Sequence, residues 1–183
     1  KSVFEKEYPK GEIRYAGKVN AHPSIFKLMA DESIGADVAS INEMKSALKG
    51  GIDPVHIDVN GNAKDDNLID EAVGKNMFFI ADSYEELETI NTRAKNLNQN
   101  ARVALRISGF KMKEVTDANI FTAGIWSKFG ESIHNIPGII KNLDEFTNLD
   151  FQGFHTHIGS QITEPEAFLE SFGLLIELGH LLE

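Results

Sequence analysis

Short apolar or β-branched runs alternate along this chain with longer segments whose apolar positions recur at helical spacing. The runs occupy residues 13–18, 35–38, 55–59, 77–81, 103–107 and 151–157, and only the last interval is markedly longer than the others. That rhythm predicts successive βα units on a parallel sheet, with no linker dividing the chain. The helices are announced by their starts. Ser40 with Glu43, Ser83 with Glu86 and Thr163 with Glu166 each form an S/T-x-x-E pattern, in which paired side chains satisfy N–H groups left over at a helix N-terminus. Pro23 and Pro165 stand near helix starts, where a missing N–H is harmless. Ile25, Leu28 and Met29 are expected to share one face, as are Leu87, Ile90 and Ala94. Charged residues on the opposite faces make these helices the coat on one side of a sheet. Residues 108–132 break the rhythm with a long polar, glycine-containing stretch, of the kind that carries function in a compact domain. Residues 133–149 then supply a delayed helix interrupted by Pro137 and Gly138, and 168–182 form an apolar one.

Composition narrows the classes. With 183 residues, 42% of them hydrophobic, the chain can bury a substantial core. A net charge of -10 and a pI near 5.1, with no basic cluster interleaved with aromatics, argue against nucleic acid as a partner. There is no cysteine, which removes disulfides and thiolate metal sites and fits a reducing compartment. No run reaches the roughly 18 apolar residues of a membrane span, and the N-terminus lacks a signal-peptide pattern, so a cytoplasmic protein without a membrane partner is expected. The first residue is Lys1 rather than Met, which suggests processing or a fragment. A closed βα barrel needs eight strands and about 250 residues. About six strands are legible here, and the chain reads as an incomplete barrel.

In such barrels chemistry gathers where strands end and helices begin. Lys18, Asp37, Asn60, Arg106 and His157 stand at those ends, followed by Gly159 and Ser160. A lysine held partly desolvated at a barrel mouth becomes a nucleophile for carbonyl carbons, the requirement of Schiff-base chemistry, although a run such as Tyr-Ala-Gly-Lys also suits a solvated strand end. His155 and His157, two apart, would project from one face of a strand and could suit a metal. No third ligand follows at matching spacing, and no metal is assigned. Gly159 lets backbone approach a ligand closely, and Ser160 offers a hydroxyl near a helix N-terminus, which suits a phosphate; equally, His155 packs in the core and Ser160 caps a turn. Asp37 and Arg106 could each be half of a structural ion pair, and the capping box alone explains Glu43.

In order, these residues resemble the fold-type III pyridoxal-phosphate decarboxylases, which include the diaminopimelate, ornithine and arginine enzymes and share the alanine racemase type of barrel. The resemblance rests on Tyr15-Ala-Gly-Lys-Val-Asn20, on Asp37, Ser40 and Glu43, on Leu105-Arg-Ile107, on Ser127-Lys-Phe-Gly130 and on His157-Ile-Gly-Ser-Gln161. It covers nearly the whole chain and implies a (β/α)8 barrel of which residues 1–183 are a partial, cofactor-binding domain. It implies Lys18 as the Schiff-base lysine, His157 stacked on the pyridine face and Ser160, with Gly159, at the phosphate of pyridoxal 5'-phosphate. Asp37 and Arg106 match residues that line the cofactor pocket and orient the lysine and ring. Lys18 and His157 are thereby the candidate catalytic residues. Gly17 and Val19, which flank the lysine, depart from the Val and Ala of many relatives.

The reaction so implied is decarboxylation of an amino acid, with Gln161 favouring the meso-diaminopimelate branch, which makes L-lysine, over the ornithine and arginine branch. The resemblance also implies a homodimer for the whole enzyme. In the family a carboxylate at the pyridine nitrogen, a glycine-rich phosphate loop, a cysteine from the dimer partner and a second β-barrel domain come later in the sequence, and none is in this stretch. Two other readings stand beside it: a relative or fragment that binds pyridoxal phosphate without decarboxylating, and an unrelated βα-barrel enzyme acting on a phosphorylated metabolite, which leaves the Lys18 motif unexplained.

Overall fold

The computed structural model describes residues 1–111, 123–124, 126–160 and 162–182. Two compact units make it up, Lys1–Phe79 and Ile80–Glu183. The first contains α1 (Ser2–Glu7), β1 (Arg14–Ala16), α2 (Pro23–Asp31), β2 (Gly35–Val38), α3 (Ile41–Gly50), β3 (Ile57–Val59), α4 (Asp66–Gly74) and the start of β4 (Phe78–Ala81), at which the units divide. Strands β1 to β4 pair in chain order and all in parallel, with Tyr15 beside Ala36, Asp37 beside Asp58, and Val59 beside Phe79.

Alternation gives this sheet two unlike faces. Ala36, Val38, Ile57, Val59 and Phe79 turn one way and are fully buried, as are Phe26 of α2, Met44 and Ala47 of α3 and Leu68 of α4. Each large side chain in that layer contributes about 1.5–3 kcal/mol by leaving water. Arg14, Ala16, Gly35, Asp37 and Asp58 turn the other way. The helices begin where side chains can accept their first N–H groups. His22 Nδ1 accepts from Ser24, with Pro23 as the first helical residue. Ser40 Oγ accepts from the Glu43 N–H at 3.3 Å while the Glu43 carboxylate reaches back to the Ala39 N–H at 2.7 Å, and Asp65 accepts from Leu68 at 2.8 Å. On α2 the expected apolar face is displaced. Phe26 is the buried residue and Leu28 is 57% exposed, because the packing partner of α2 is α3 as well as the sheet.

The second unit continues β4 and adds α5 (Tyr84–Asn96), β5 (Ala101–Ser108), β6 (Glu131–Ser132), α6 (Ile136–Asn142), β7 (Leu149–His155) and α7 (Pro165–Gly179). Strand β5 pairs in parallel with both β6 and β7. Leu87, Ile90 and Ala94 of α5 are fully buried, as their spacing predicts, and Ser83 with Glu86 repeats the geometry of Ser40 with Glu43. Seven strands are thus present among the described residues. The uncounted one is β6, two residues at the end of the 108–132 stretch, too short to leave a hydrophobic pattern.

Three other expectations are corrected. Pro137 does not interrupt a helix but lies in the first turn of α6, where its missing N–H is free of consequence. Thr163 does not cap α7. Glu164 holds the cap position without a side-chain cap bond, and the Thr163 hydroxyl donates to the Glu164 carboxylate at 2.7 Å. Strand β7 ends at His155, so His157 lies beyond the strand and the two histidines do not share a strand face. Helix α7 leaves Leu169, Phe172 and Ile176 at least 60% exposed. No helix among the described residues is long and apolar enough to cross a membrane.

Candidate active site

Each unit carries part of the predicted site at the C-terminal ends of its strands. In the first, β1 ends at Ala16 and runs into a 3-10 turn, Gly17–Val19, on which Lys18 sits. Gly17 is buried, and the place where its Cβ would stand is 3.1 Å from the Asp37 carbonyl oxygen, so the turn bearing Lys18 is pressed onto β2. Lys18 itself is exposed. The partial desolvation expected of it is not supplied by the described residues, because the turn carries the side chain past the end of the strand.

Asp37 is half-buried on β2 and accepts a hydrogen bond from Asn60 Nδ2 at 3.0 Å, just after β3. The Asn60 backbone N–H donates to the Val38 carbonyl at 2.8 Å, which fixes the amide beside the carboxylate. Glu43 is fully explained by its capping bond.

Further down the same face is a polar cluster that sequence reasoning missed. Arg14 on β1 passes over Gly35 on β2 to meet Asp58 on β3, with its Nε 3.1 Å from Asp58 Oδ1; it also pairs with Glu12, whose carboxylate lies 3.2 Å from His56 Nδ1. Burial pushes the Asp58 carboxyl above its ordinary value. The Arg14 guanidinium partly counters that rise, and the Asp37 charge adds to it. Burial would also raise Glu12, but bonding to Arg14 and then His56 holds it below the ordinary value. The signal in the sequence was a charged residue in each of three neighbouring short strands, legible only once their register is known. Beneath the cluster, at the strand N-termini, a cleft of about 380 Å³ is lined by Phe4, Arg14, Ile34, Ile52 and His56, away from Lys18.

In the second unit Arg106 is only 7% exposed. Its Nη1 lies 3.4 Å from Asp82 Oδ1, and its guanidinium carbon stands 4.7 Å from the centre of the Phe129 ring. The structural ion-pair reading of Arg106 is therefore met by Asp82, just after β4. Between Val103 and Ala104 the β5–β7 register slips by one residue, so that Gln152 is extra and His155 falls beside Arg106. The chain then leaves the strand through half-buried His157 and Gly159, which has φ +150, to exposed Ser160. Ser160 lies ahead of the cap of α7, not at a helix N-terminus, and Glu164 occupies that cap. Gln161 lies outside the described residues.

The segment suits a phosphate nonetheless. Thr156 Oγ1 is buried with no hydrogen-bond partner among the described residues, Ser160 adds a second hydroxyl, and backbone at a positive-φ glycine can be approached closely. The hydroxyl-rich turn of the second unit and, taken by itself, the Lys18 amine of the first are each the kind of group that an aldehyde-bearing phosphate ester takes. Among the described residues no group of three or more His, Asp or Glu is placed to hold a metal ion.

Each unit has the parallel βα architecture of an incomplete barrel, the class to which the pyridoxal-binding domains of its structural neighbours belong. Residues 1–178 match the model of the pyridoxal-dependent decarboxylase family, pyridoxal binding domain, and the chain belongs to that family, whose cofactor is pyridoxal 5'-phosphate. It is 32% identical to diaminopimelate decarboxylase of Aquifex aeolicus (strain VF5) over 96% of its own length and 42% of the relative's. It is 35% identical to the enzyme of the same name from Staphylococcus aureus (strain COL), over 95% and 41%. The crystal structure of diaminopimelate decarboxylase from Helicobacter pylori complexed with L-lysine superimposes with a TM-score of 0.87 at 32% identity, covering 99% of this chain and 47% of that one. The chain thus spans less than half the length of these relatives. An arginine decarboxylase of Paramecium bursaria Chlorella virus, at 23% identity and a TM-score of 0.79, shares the fold.

Proposed function

We propose that this chain is the cofactor-binding part of a decarboxylase that converts meso-diaminopimelate to L-lysine. The observation that carries the reading is the placement of Lys18 on a turn pressed against Asp37, immediately beyond the first strand of a parallel sheet. The diaminopimelate decarboxylases among its relatives, one of them complexed with L-lysine, support this substrate. The arginine decarboxylase likeness, below 25% identity, supports only the fold.

In this reading Lys18 Nζ would hold the cofactor at its aldehyde carbon whenever no substrate amine does. Asp37, steadied by Asn60, directs the lysine. His157 would lie against the ring face and keep it fixed. Gly159 and Ser160 take the phosphate, and Arg106 offers its guanidinium to an anionic oxygen. When bound, pyridoxal phosphate supplies the electron sink that accepts the pair left as CO2 departs from Cα. The whole enzyme, in the same reading, is a cytoplasmic homodimer.

Incubation of the whole polypeptide with pyridoxal phosphate, borohydride reduction and peptide mass mapping tests the assignment. A pyridoxyl adduct on Lys18, absent in Lys18→Ala, is expected, with CO2 released from meso-diaminopimelate in preference to L-ornithine or L-arginine. An adduct confined to other lysines would overturn the site, and preferential turnover of ornithine or arginine would overturn the substrate.

A further inference from the structure

The Ser127-Lys-Phe-Gly130 motif has no role in the reading above, yet its atoms converge on Arg106. The Ser127 hydroxyl accepts from the Phe129 N–H at 3.0 Å and donates to the Phe129 carbonyl at 2.9 Å, so one side chain closes the turn. Closed in this way, the turn presents the Phe129 ring to the Arg106 guanidinium at 4.7 Å, with the Lys128 ammonium 5.2 Å from the same ring. Gly130 follows at φ +76, and a Cβ there would stand 3.2 Å from both Arg106 Cγ and the Arg106 carbonyl oxygen. The segment therefore crosses the arginine's own stem, where a side chain would be crowded and its left-handed backbone strained. Ser108 Oγ donates to the Gly130 carbonyl at 3.1 Å, and β6 then pairs with β5, Ile107 beside Glu131.

A second neighbour of the guanidinium is anchored as firmly. Asp82 gives its backbone N–H to the Glu86 carboxylate at 2.7 Å, inside the capping box of α5, and its side chain is 13% exposed. Arg106 is thus gripped between a carboxylate fixed by a helix start and an aromatic face fixed by a strand. A buried guanidinium needs compensation, and the Asp82 contact at 3.4 Å is a long one. The aromatic face adds an attraction of its own, since the cation favours lying over the ring. A guanidinium held in place beforehand loses less freedom when it meets an anionic oxygen.

We infer that residues 127–130 act as a clamp that orients Arg106, and that Phe129 and Asp82 are positioning residues acting on the cofactor's anionic oxygens through it. This rests on the reading of Arg106 as a cofactor-pocket residue. The test is the pyridoxal phosphate concentration that half-saturates the borohydride-trapped adduct on Lys18, measured in the whole polypeptide. Phe129→Leu removes the π face and should raise that concentration about threefold to tenfold, whereas Phe129→Tyr should stay within about twofold of wild type. In an Arg106→Met background Phe129→Leu should add nothing, as expected of two groups acting as one unit. Circular dichroism and urea midpoints check that the variants fold. An unchanged half-saturation in a folded Phe129→Leu overturns the inference, as does the same loss with and without Arg106. Absence of any Lys18 adduct in the wild type overturns the cofactor reading itself, a distinct failure.

Discussion

Replacing Gly35 by alanine tests whether the polar face of the first unit is built as described. Gly35 is buried on β2, and a Cβ there would stand 2.7 Å from Arg14 Cδ and 2.9 Å from Arg14 Nη1 while colliding with the His56 carbonyl oxygen. The arginine could swing away, but only by giving up Asp58. The His56 carbonyl belongs to the turn that feeds β3, and it moves only if the β2–β3 pairing moves with it. Overpacking of this kind costs about 1–3 kcal/mol. Losing the Arg14–Asp58 pair adds roughly 1–3 kcal/mol, less than the figure for a fully buried pair because the side chains keep 17% and 19% of their exposure. The expected loss is about 4 kcal/mol, or roughly 10 °C in Tm for a chain of this size. Urea unfolding with an unchanged m-value measures it. The double variant Gly35→Ala, Arg14→Met should recover part of the loss by removing one of the two collisions. A single variant within about 0.5 kcal/mol of wild type would mean that Arg14 does not cross β2, and the account of the cluster would fall with it.

Two further predictions concern the same unit. The Asp58 carboxyl is raised above its ordinary value of 3.8 by burial, so the folded state holds its proton more tightly than the unfolded chain does. Its contribution to stability therefore declines as pH rises from about 4 through the folded-state value, and the stability of wild type relative to Asp58→Asn should fall over that window in urea titrations; a rise would refute the assignment. Ser40→Ala removes the acceptor for the Glu43 N–H and should lower stability by about 1 kcal/mol, read as a shift of the urea midpoint, with Ser40→Thr close to wild type.

Much of the architecture was legible because it rests on local physics. Strands β2 and β4 are short apolar runs followed closely by Ser40 and Ser83, and both capping boxes form as their spacing requires. The same pattern misled at Thr163, where the following proline and Glu164 start the helix one residue later. Helix α4, capped by Asp65 rather than by an S/T-x-x-E pattern, left a weaker trace, and β6 left none.

The candidate site was legible as a set of proposed residues and not as a geometry. Period and caps sufficed to put Lys18 and His157 just beyond strand ends, because a parallel βα unit has only one place to put the residue that follows a strand, whereas Asp37 and Arg106 lie one and two residues inside the ends of β2 and β5. Which groups meet depended on register. The slip at Val103 that sets His155 beside Arg106 adds a single residue, Gln152, and nothing in a period-two pattern marks it. The choice of Asn60 for Asp37 and of Asp82 for Arg106 likewise joins residues 23 and 24 positions apart. Sequence by itself determined the order of elements, the helix starts and the chemical types at the strand ends, since these follow from interactions within a few residues. Only the tertiary structure decided that Arg14 crosses Gly35 to Asp58 and that Phe129 covers Arg106, because a contact between distant residues depends on the alignment of whole strands, to which no local propensity is sensitive.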